Sequence, residues 1–307
     1  MKQDIASFLS HLKATKHLAA NSLDGYRRDL TDLSHVLEEE HNVVRSGDIK
    51  PFHLSAYLNR LKEQGRSNAT ISRRIVSMRA FFQFALEKGM TPANPSLRLS
   101  APKAVRRSPR ALSQSDVERL LEAPDLSDEA GVRDRTMLET LYATGMRVTE
   151  LTGLNVQDVR TDLRLLVCRG TGGKERMIPI SSMCRDWMLK YLQEARPKLV
   201  RDSGTEAAMF LSHLGSRMTR QGFWKIIKKY AAAAGVSTEV TPHTLRHSFA
   251  YHLVDNGADL RSVQEILGHA DLTATQVYQP SSKAKLRDVY DSFHPRARAA
   301  DNDDEVE

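Results

Sequence analysis

Between Asp4 and Gly89 apolar residues return every three or four positions; from Thr91 to Leu112 that rhythm stops, and afterwards it resumes. Tyr26, Leu30, Leu33 and Leu37 form one stripe, Leu54, Leu58 and Leu61 a second, and Ile71, Ile75, Met78, Phe82 and Ala85 a third. A stripe of this period leaves water only by meeting another helix, so residues 1–90 are expected to form a small helical bundle. The punctuation agrees: Asn21 or Ser22 is placed to cap the first helix, Gly65 to end the second, Ser67 or Asn68 to cap the third and Gly89 to close it. Over 91–112, Pro92, Pro95, Pro102 and Pro109 are interleaved with Lys103, Arg106, Arg107 and Arg110, which predicts an extended basic linker.

Helical signals return at Ser113-Gln114-Ser115-Asp116, a start like a capping box, with a helix to about Glu122 and another over Arg133–Thr144 that stops at Gly145. Leu163–Arg169 and Glu175–Ile180 read as two short strands around the glycine-rich turn Gly170-Thr171-Gly172-Gly173. Further helices are expected over Met183–Glu194, Arg220–Ala234, Pro242–Asn256, Leu260–Leu267 and Leu272–Tyr278. The fold class is therefore mainly α with a small β-sheet, in two domains: 1–90 and 113–296. The remaining residues, 297–307, end in Asp301-Asn302-Asp303-Asp304-Glu305-Val306-Glu307, an acidic tail expected to be disordered.

A net charge of +7 and a pI near 9.4 favour a polyanionic partner, the more so because the tail concentrates negative charge at one end. Arg27, Arg28, Arg66, Arg73, Arg74 and Arg79 lie on polar helix faces, placed either to follow a DNA backbone or simply to face water. Cys168 and Cys184 lack a C-x-x-C spacing, which argues against a disulfide framework and fits a reducing cytoplasm. No apolar run approaches the roughly 20 residues that span a bilayer, so no membrane partner is expected.

The candidate chemistry sits in four places: Arg147 in Thr144-Gly145-Met146-Arg147, the pair His243-Thr244-Leu245-Arg246, His269 in Leu267-Gly268-His269, and Tyr278. Arginine grips phosphate through a planar fork, histidine exchanges protons near neutral pH, and a phenol can serve as a covalent nucleophile. Thr241-Pro242 marks a helix start, so His243 and Arg246 share a face one turn apart, near free N–H groups that favour anions. Each residue has an ordinary reading alone: Arg147 can pair with Glu150, His269 can end a helix, and Tyr278 is one of eight tyrosines. His243 and His247 also stand at a spacing that suits zinc, but without the interposed glutamate of a metalloprotease helix or an obvious third ligand.

Taken in order, Arg, His-x-x-Arg, Gly-His and Tyr resemble the tyrosine recombinases, and among them the XerC/XerD site-specific recombinases. Ala143–Leu151, Thr241–Ala250, Gly257–Gln264, Leu267-Gly268-His269 and His294-Pro295-Arg296 carry the likeness, and Met218-Thr219-Arg220-Gln221 with Phe223-Trp224 leans toward the XerD branch. The resemblance implies a helical core-binding domain and a catalytic domain forming a C-shaped clamp on duplex DNA. It implies that Tyr278 attacks the scissile phosphate, that Arg147 and Arg246 stabilise its charge, that His243 takes the phenol proton and that His269 bonds the phosphate, with no metal, ATP or other cofactor. It further implies four protomers on two dif-like sites, a XerC-like partner, activation by a DNA translocase and a role in chromosome dimer resolution. The segment with Leu286, Val289, Tyr290 and Phe293 would dock on a neighbouring protomer, its rival being packing on its own domain.

One departure stands out. The family hairpin reads Gly-Lys-Gly-x-Lys, and its first lysine protonates the leaving 5′-oxygen; here Gly170-Thr171-Gly172-Gly173-Lys174 puts Thr171 in that place. Lys174 is the candidate substitute, up to about 10 Å along an extended strand and nearer across a turn. Two other functions stay open at this point: a mobile-element integrase of the same chemistry, and a catalytically impaired, sequence-specific DNA-binding protein.

Overall fold

The computed structural model describes residues 1–16, 18, 20–102, 111–170, 175–201, 207–236, 239–268 and 283–298. The chain divides into two compact units, Met1–Arg107 and Ser108–Glu307. No helix among the described residues is long and apolar enough to cross a membrane.

The first unit consists of helices α1 (Lys2–Lys16), α2 (Ala20–His41), α3 (Pro51–Glu63) and α4 (Asn68–Glu87). The three stripes read from the sequence meet in one core, joined by Ile5, Phe8 and Leu12 of α1, with Tyr26 partly buried at its margin. Ser67 caps α4 by accepting from the Thr70 N–H, and Gly65 and Gly89 end their helices at φ of 70° and 67°. Asn21 and Ser22 do not cap α2: the helix begins before them, and both lie exposed in its first turn, where N–H groups need no intrahelical partner. Three of the surface arginines bond to their own unit, though Arg73 and Arg79 stay exposed. Arg73 and Arg74 pair with Asp29 and Asp32, and Arg79 donates to the Leu99 carbonyl.

That last bond belongs to a second difference. Residues 91–102, the first half of the expected linker, are folded onto the first unit, with Thr91, Asn94, Ser96 and Leu99 buried. The Asn94 carboxamide oxygen accepts from the Ser96 N–H at 2.9 Å and the Ser96 hydroxyl at 2.6 Å, closing a turn that a proline-rich text conceals. Residues 103–110, with Lys103, Arg106, Arg107 and Arg110, lie outside the described residues, as do 299–307 of the acidic tail.

In the second unit, α5 (Gln114–Glu122) leads to α6 (Glu129–Thr144), α7 (Val148–Gly153), the strands β1 (Val159–Arg160), β2 (Leu165–Arg169) and β3 (Glu175–Pro179), and α8 (Ser182–Lys190). A π-helical turn over Tyr191–Ala195 joins α8 to α9 (Arg196–Leu199); then follow α10 (Arg220–Ala233), α11 (Pro242–Asp255), α12 (Leu260–Leu267), α13 (Lys283–Phe293) and α14 (Pro295–Arg298). The sheet is antiparallel in the order β1-β2-β3, with Val159 opposite Leu166 and Cys168 opposite Arg176; β1 is too short to register as a period in sequence. The helix expected over Leu272–Tyr278 lies outside the described residues.

Helix α6 is buried on every side from Gly131 to Thr144, and the other elements are arranged around it. Such burial strands its charges. Glu139 is wholly inaccessible and is met by Arg296 Nε at 2.6 Å from α14 and by Arg135 at 3.5 Å within α6. The same contact seats the C-terminal helices on their own domain: Tyr290 is fully buried, stacked on His294 at 4.7 Å between ring centres, and Val289 and Phe293 pack on the same core. In the single chain α13 thus packs on its own domain, the rival reading of this segment; the Leu286 side chain is outside the described residues. Arg296→Ala leaves a buried carboxylate short of its nearer counter-charge and is expected to destabilise the second unit by about 3 kcal/mol. Denaturant unfolding followed by tryptophan emission checks this, since both tryptophans, Trp187 and Trp224, lie in that unit; an unchanged midpoint would refute it.

Candidate functional site

Helix α6 ends at Gly145, whose φ of 57° is left-handed; a Cβ there would come within 2.4 Å of the Phe249 ring and 2.8 Å of Leu267. Only glycine lets the end of α6 press against α11 and α12, which brings the next residues into their neighbourhood. Arg147 is the N-cap of α7, and its N–H donates to Glu150 Oε2 at 2.7 Å while its Nη1 meets Oε1 at 3.1 Å. From β3, Arg176 donates Nη1 to Oε1 and Nη2 to Oε2, both at 2.9 Å, a two-point fork on the same carboxylate.

Helix α11 begins as the sequence predicts. Thr241 accepts from the Thr244 N–H at 3.0 Å, Thr244 bonds back to the Thr241 N–H, and Pro242 occupies the first turn. His243 is exposed in that turn, while Arg246, one turn on, is buried and caps two chain ends: its Nη1 donates to the Gly145 carbonyl and its Nη2 to the Leu267 carbonyl at 2.9 Å. Arg147 Nη2 lies 3.4 Å from the carbonyl of Gly268, the left-handed residue that ends α12. The helix stops at Gly145 and Gly268 are both where the sequence puts them.

Among the described residues the site therefore gathers three guanidinium groups about one carboxylate, an excess of two positive charges. Burial would raise the Glu150 carboxyl, but the bonds from Arg176 and from the Arg147 backbone outweigh it and hold the group at about 2. Burial, with the charges of Arg147 and Arg176 alongside, draws the Arg246 guanidinium down to about 10, still protonated at neutral pH. An open cleft lined by Arg147, Thr149, Glu150, Arg169 and Gly170 gives outside access, and the Arg147 side chain remains 39% exposed to it. A partly solvated Arg147 at the cleft, with Arg176 and Arg246 close behind it, is suited to an anion with at least two acceptor oxygens.

Of the six predicted site residues, Arg147, His243 and Arg246 are described, and the two arginines meet around the Gly145 and Gly268 turns. Lys174, His269 and Tyr278 lie outside the described residues, with Thr171. The pairing of Arg147 with Glu150, read from the sequence as an alternative to function, is present together with free access to the cleft. Arg176 was not legible, because its partners are 26 and 90 positions away in the chain. Among the described residues no group of three or more His, Cys, Asp and Glu is placed to hold a metal ion.

Comparison with known proteins places this geometry. Residues 110–285 match the phage integrase family, and residues 5–89 match the phage integrase N-terminal SAM-like domain. The chain is 45% identical to tyrosine recombinase XerD of Oceanobacillus iheyensis, over 95% of this chain and 98% of that one. It is 41% identical to tyrosine recombinase XerD of Listeria monocytogenes, over 97% and 100%. Among solved structures it resembles the Tn1549 transposon integrase in complex with circular intermediate DNA (TM-score 0.69, 20% identity, 92% and 98% covered). It also resembles XerH site-specific recombinase bound to difH substrate (TM-score 0.66, 18% identity, 100% and 84% covered). At those identities the structural likeness is one of fold. The chain belongs to the phage integrase family, the tyrosine recombinases.

The Glu150 carboxyl, ordinarily near 4.5, is depressed by its arginines, so its stabilising contribution is complete above about pH 4.5 and is lost as pH falls through about 2. The stability difference between the wild type and Glu150→Gln, read from denaturant unfolding, is expected to shrink as pH falls from about 5 to about 2. A difference that does not vary with pH would show that the carboxylate's charge is not what the arginines hold.

Proposed function

We propose that Arg147 and Arg246 hold the non-bridging oxygens of a scissile DNA phosphate while Tyr278 attacks it. The protein is a site-specific tyrosine recombinase, a DNA strand-exchange enzyme that cuts and rejoins duplex DNA through a 3′-phosphotyrosyl intermediate. It serves chromosome dimer resolution and, through it, chromosome partition at cell division. The observation that supports the assignment of roles is the excess of two positive charges around Glu150 among the described residues, with Arg147 exposed beside an open cleft.

The chemistry follows from the side chains. In-line attack by the Tyr278 oxygen forms the phosphotyrosyl bond and expels a 5′-oxygen. A free phenol has a pKa of about 10, so it needs a base, and exposed His243 in the first turn of α11 is the candidate. His269, which follows Gly268 at the edge of the arginine cluster, bonds the phosphate. The leaving oxygen takes its proton from Lys174 in place of the family lysine, whose position is Thr171. The phosphotyrosyl bond conserves the energy of the broken phosphodiester, and a 5′-hydroxyl from a partner strand reverses the step and completes the exchange. No metal or nucleotide cofactor enters.

The N-terminal unit and the catalytic unit, joined through a stretch that carries Lys103, Arg106, Arg107 and Arg110, act together on duplex DNA. Four protomers act on two dif-like sites with a XerC-like partner, and a DNA translocase triggers the reaction. The protein works in the cytoplasm on the nucleoid.

A nicked suicide duplex, which traps the covalent step, is expected to give an adduct that Tyr278→Phe abolishes. Arg246→Ala is expected to slow adduct formation about a hundredfold to a thousandfold, the usual effect of losing one preorganised donor to developing charge. Lys174→Ala is expected to slow it as well, with the loss relieved by a substrate carrying a better leaving group. Specific binding without any adduct would make the protein a DNA binder, and unimpaired cleavage by Lys174→Ala would remove Lys174 from the mechanism.

A further inference from the structure

We infer that Arg176 is a positioning residue for strand cleavage: by neutralising Glu150 it leaves the charge of Arg147 available to the DNA phosphate. This rests on the proposed roles of Arg147 and Tyr278. Glu150 is a buried carboxylate flanked by two arginines that contact it differently. Arg176 is 18% exposed and spends both Nη groups on both carboxylate oxygens, while Arg147 offers one Nη at 3.1 Å and stays open to the cleft. A buried carboxylate demands a counter-charge, and with Arg176 absent the one guanidinium left beside it on its own helix start is that of Arg147. Captured in a fork on Glu150, Arg147 would no longer reach a phosphate.

Arg176 is not itself placed to touch DNA. Its third donor, Nε, bonds the Ile266 carbonyl at 3.2 Å in the last turn of α12, so all three of its nitrogens face protein acceptors. A Cβ on Gly268 would come within 3.0 Å of the same Nε, so the guanidinium lies flush against the turn that precedes His269. One side chain thereby joins three segments: β3, two positions beyond Lys174; the start of α7, with Arg147; and the end of α12, before His269. Among the described residues Cys168 on β2 also hydrogen-bonds the carboxylate through its thiol, while Arg169 at the cleft and Arg246 on α11 lie near it without donating to it, and Arg169 is engaged by Asp158 and Glu175.

The test is single-turnover cleavage of the suicide duplex at saturating enzyme, beside affinity for an intact duplex. Arg176→Gln is expected to lower the cleavage rate between about tenfold and a hundredfold with duplex affinity unchanged. Arg176→Lys, which keeps the charge and loses the fork, gives an intermediate rate. The decisive variant is Arg176→Gln combined with Glu150→Gln: with no carboxylate to capture Arg147, it is expected to cleave faster than Arg176→Gln alone, a recovery that a merely misfolded site would not show. A double variant slower than Arg176→Gln, or an Arg176→Gln enzyme as fast as wild type, would overturn the inference. Absence of any Tyr278-dependent adduct from the wild type would instead overturn the functional reading on which it rests.

Discussion

One carboxylate shared by two arginines organises the catalytic unit. Glu150 caps the start of α7 through the Arg147 N–H, which fixes where Arg147 begins, and it receives the fork of Arg176, which fixes β3 against α7. Arg246 approaches from α11 and ties the Gly145 and Leu267 carbonyls. Remove the carboxylate and three like charges face one another without a mediator; keep it, and two charges remain in excess. A site with no anion would gain nothing from that imbalance. A site that must close on a phosphodiester gains a preformed counter-charge, in place before the substrate arrives.

The surrounding fold holds this cluster rigid. Buried α6 presents Gly145 at its end, and the close approach at that glycine places α11 and α12 on the site. The Glu139–Arg296 pair ties α14, and with it the C-terminal helices, to α6 as well. Buried ion pairs of this kind add little net stability, but breaking one by removing a single partner leaves an uncompensated buried charge.

What the sequence disclosed follows from range. Stripes of period 3.6, the Ser67 and Thr241 caps and the glycine stops at 145 and 268 are local signals, and they appear in the structure where periodicity and capping chemistry put them. The His243–Arg246 relation was legible for the same reason, being one helical turn. Arg176 was not, because nothing near it in sequence hints at Glu150 or Ile266. The turn in residues 91–102 was missed although its Asn94–Ser96 bond is local, because the prolines around it read as a linker and the burial of Leu99 depends on a distant core. The seating of α13 was open in the sequence between two readings, because only the folded core of its own domain supplies its apolar partner. The acids on α2 that pair with Arg73 and Arg74 were likewise out of local range, though Arg73 still faces water as its helix position suggests.

Charge compensation on the substrate tests most directly the proposed neutralisation of the scissile phosphate by the arginines. Replacing one non-bridging oxygen at the scissile position by methyl gives a neutral methylphosphonate that no longer calls for the full positive charge of the site. Arg246→Ala should then form the Tyr278 adduct faster on the methylphosphonate than on the natural phosphate. If the neutral linkage is cut no faster by Arg246→Ala than the charged one, Arg246 does not act by charge neutralisation and the account of the site fails.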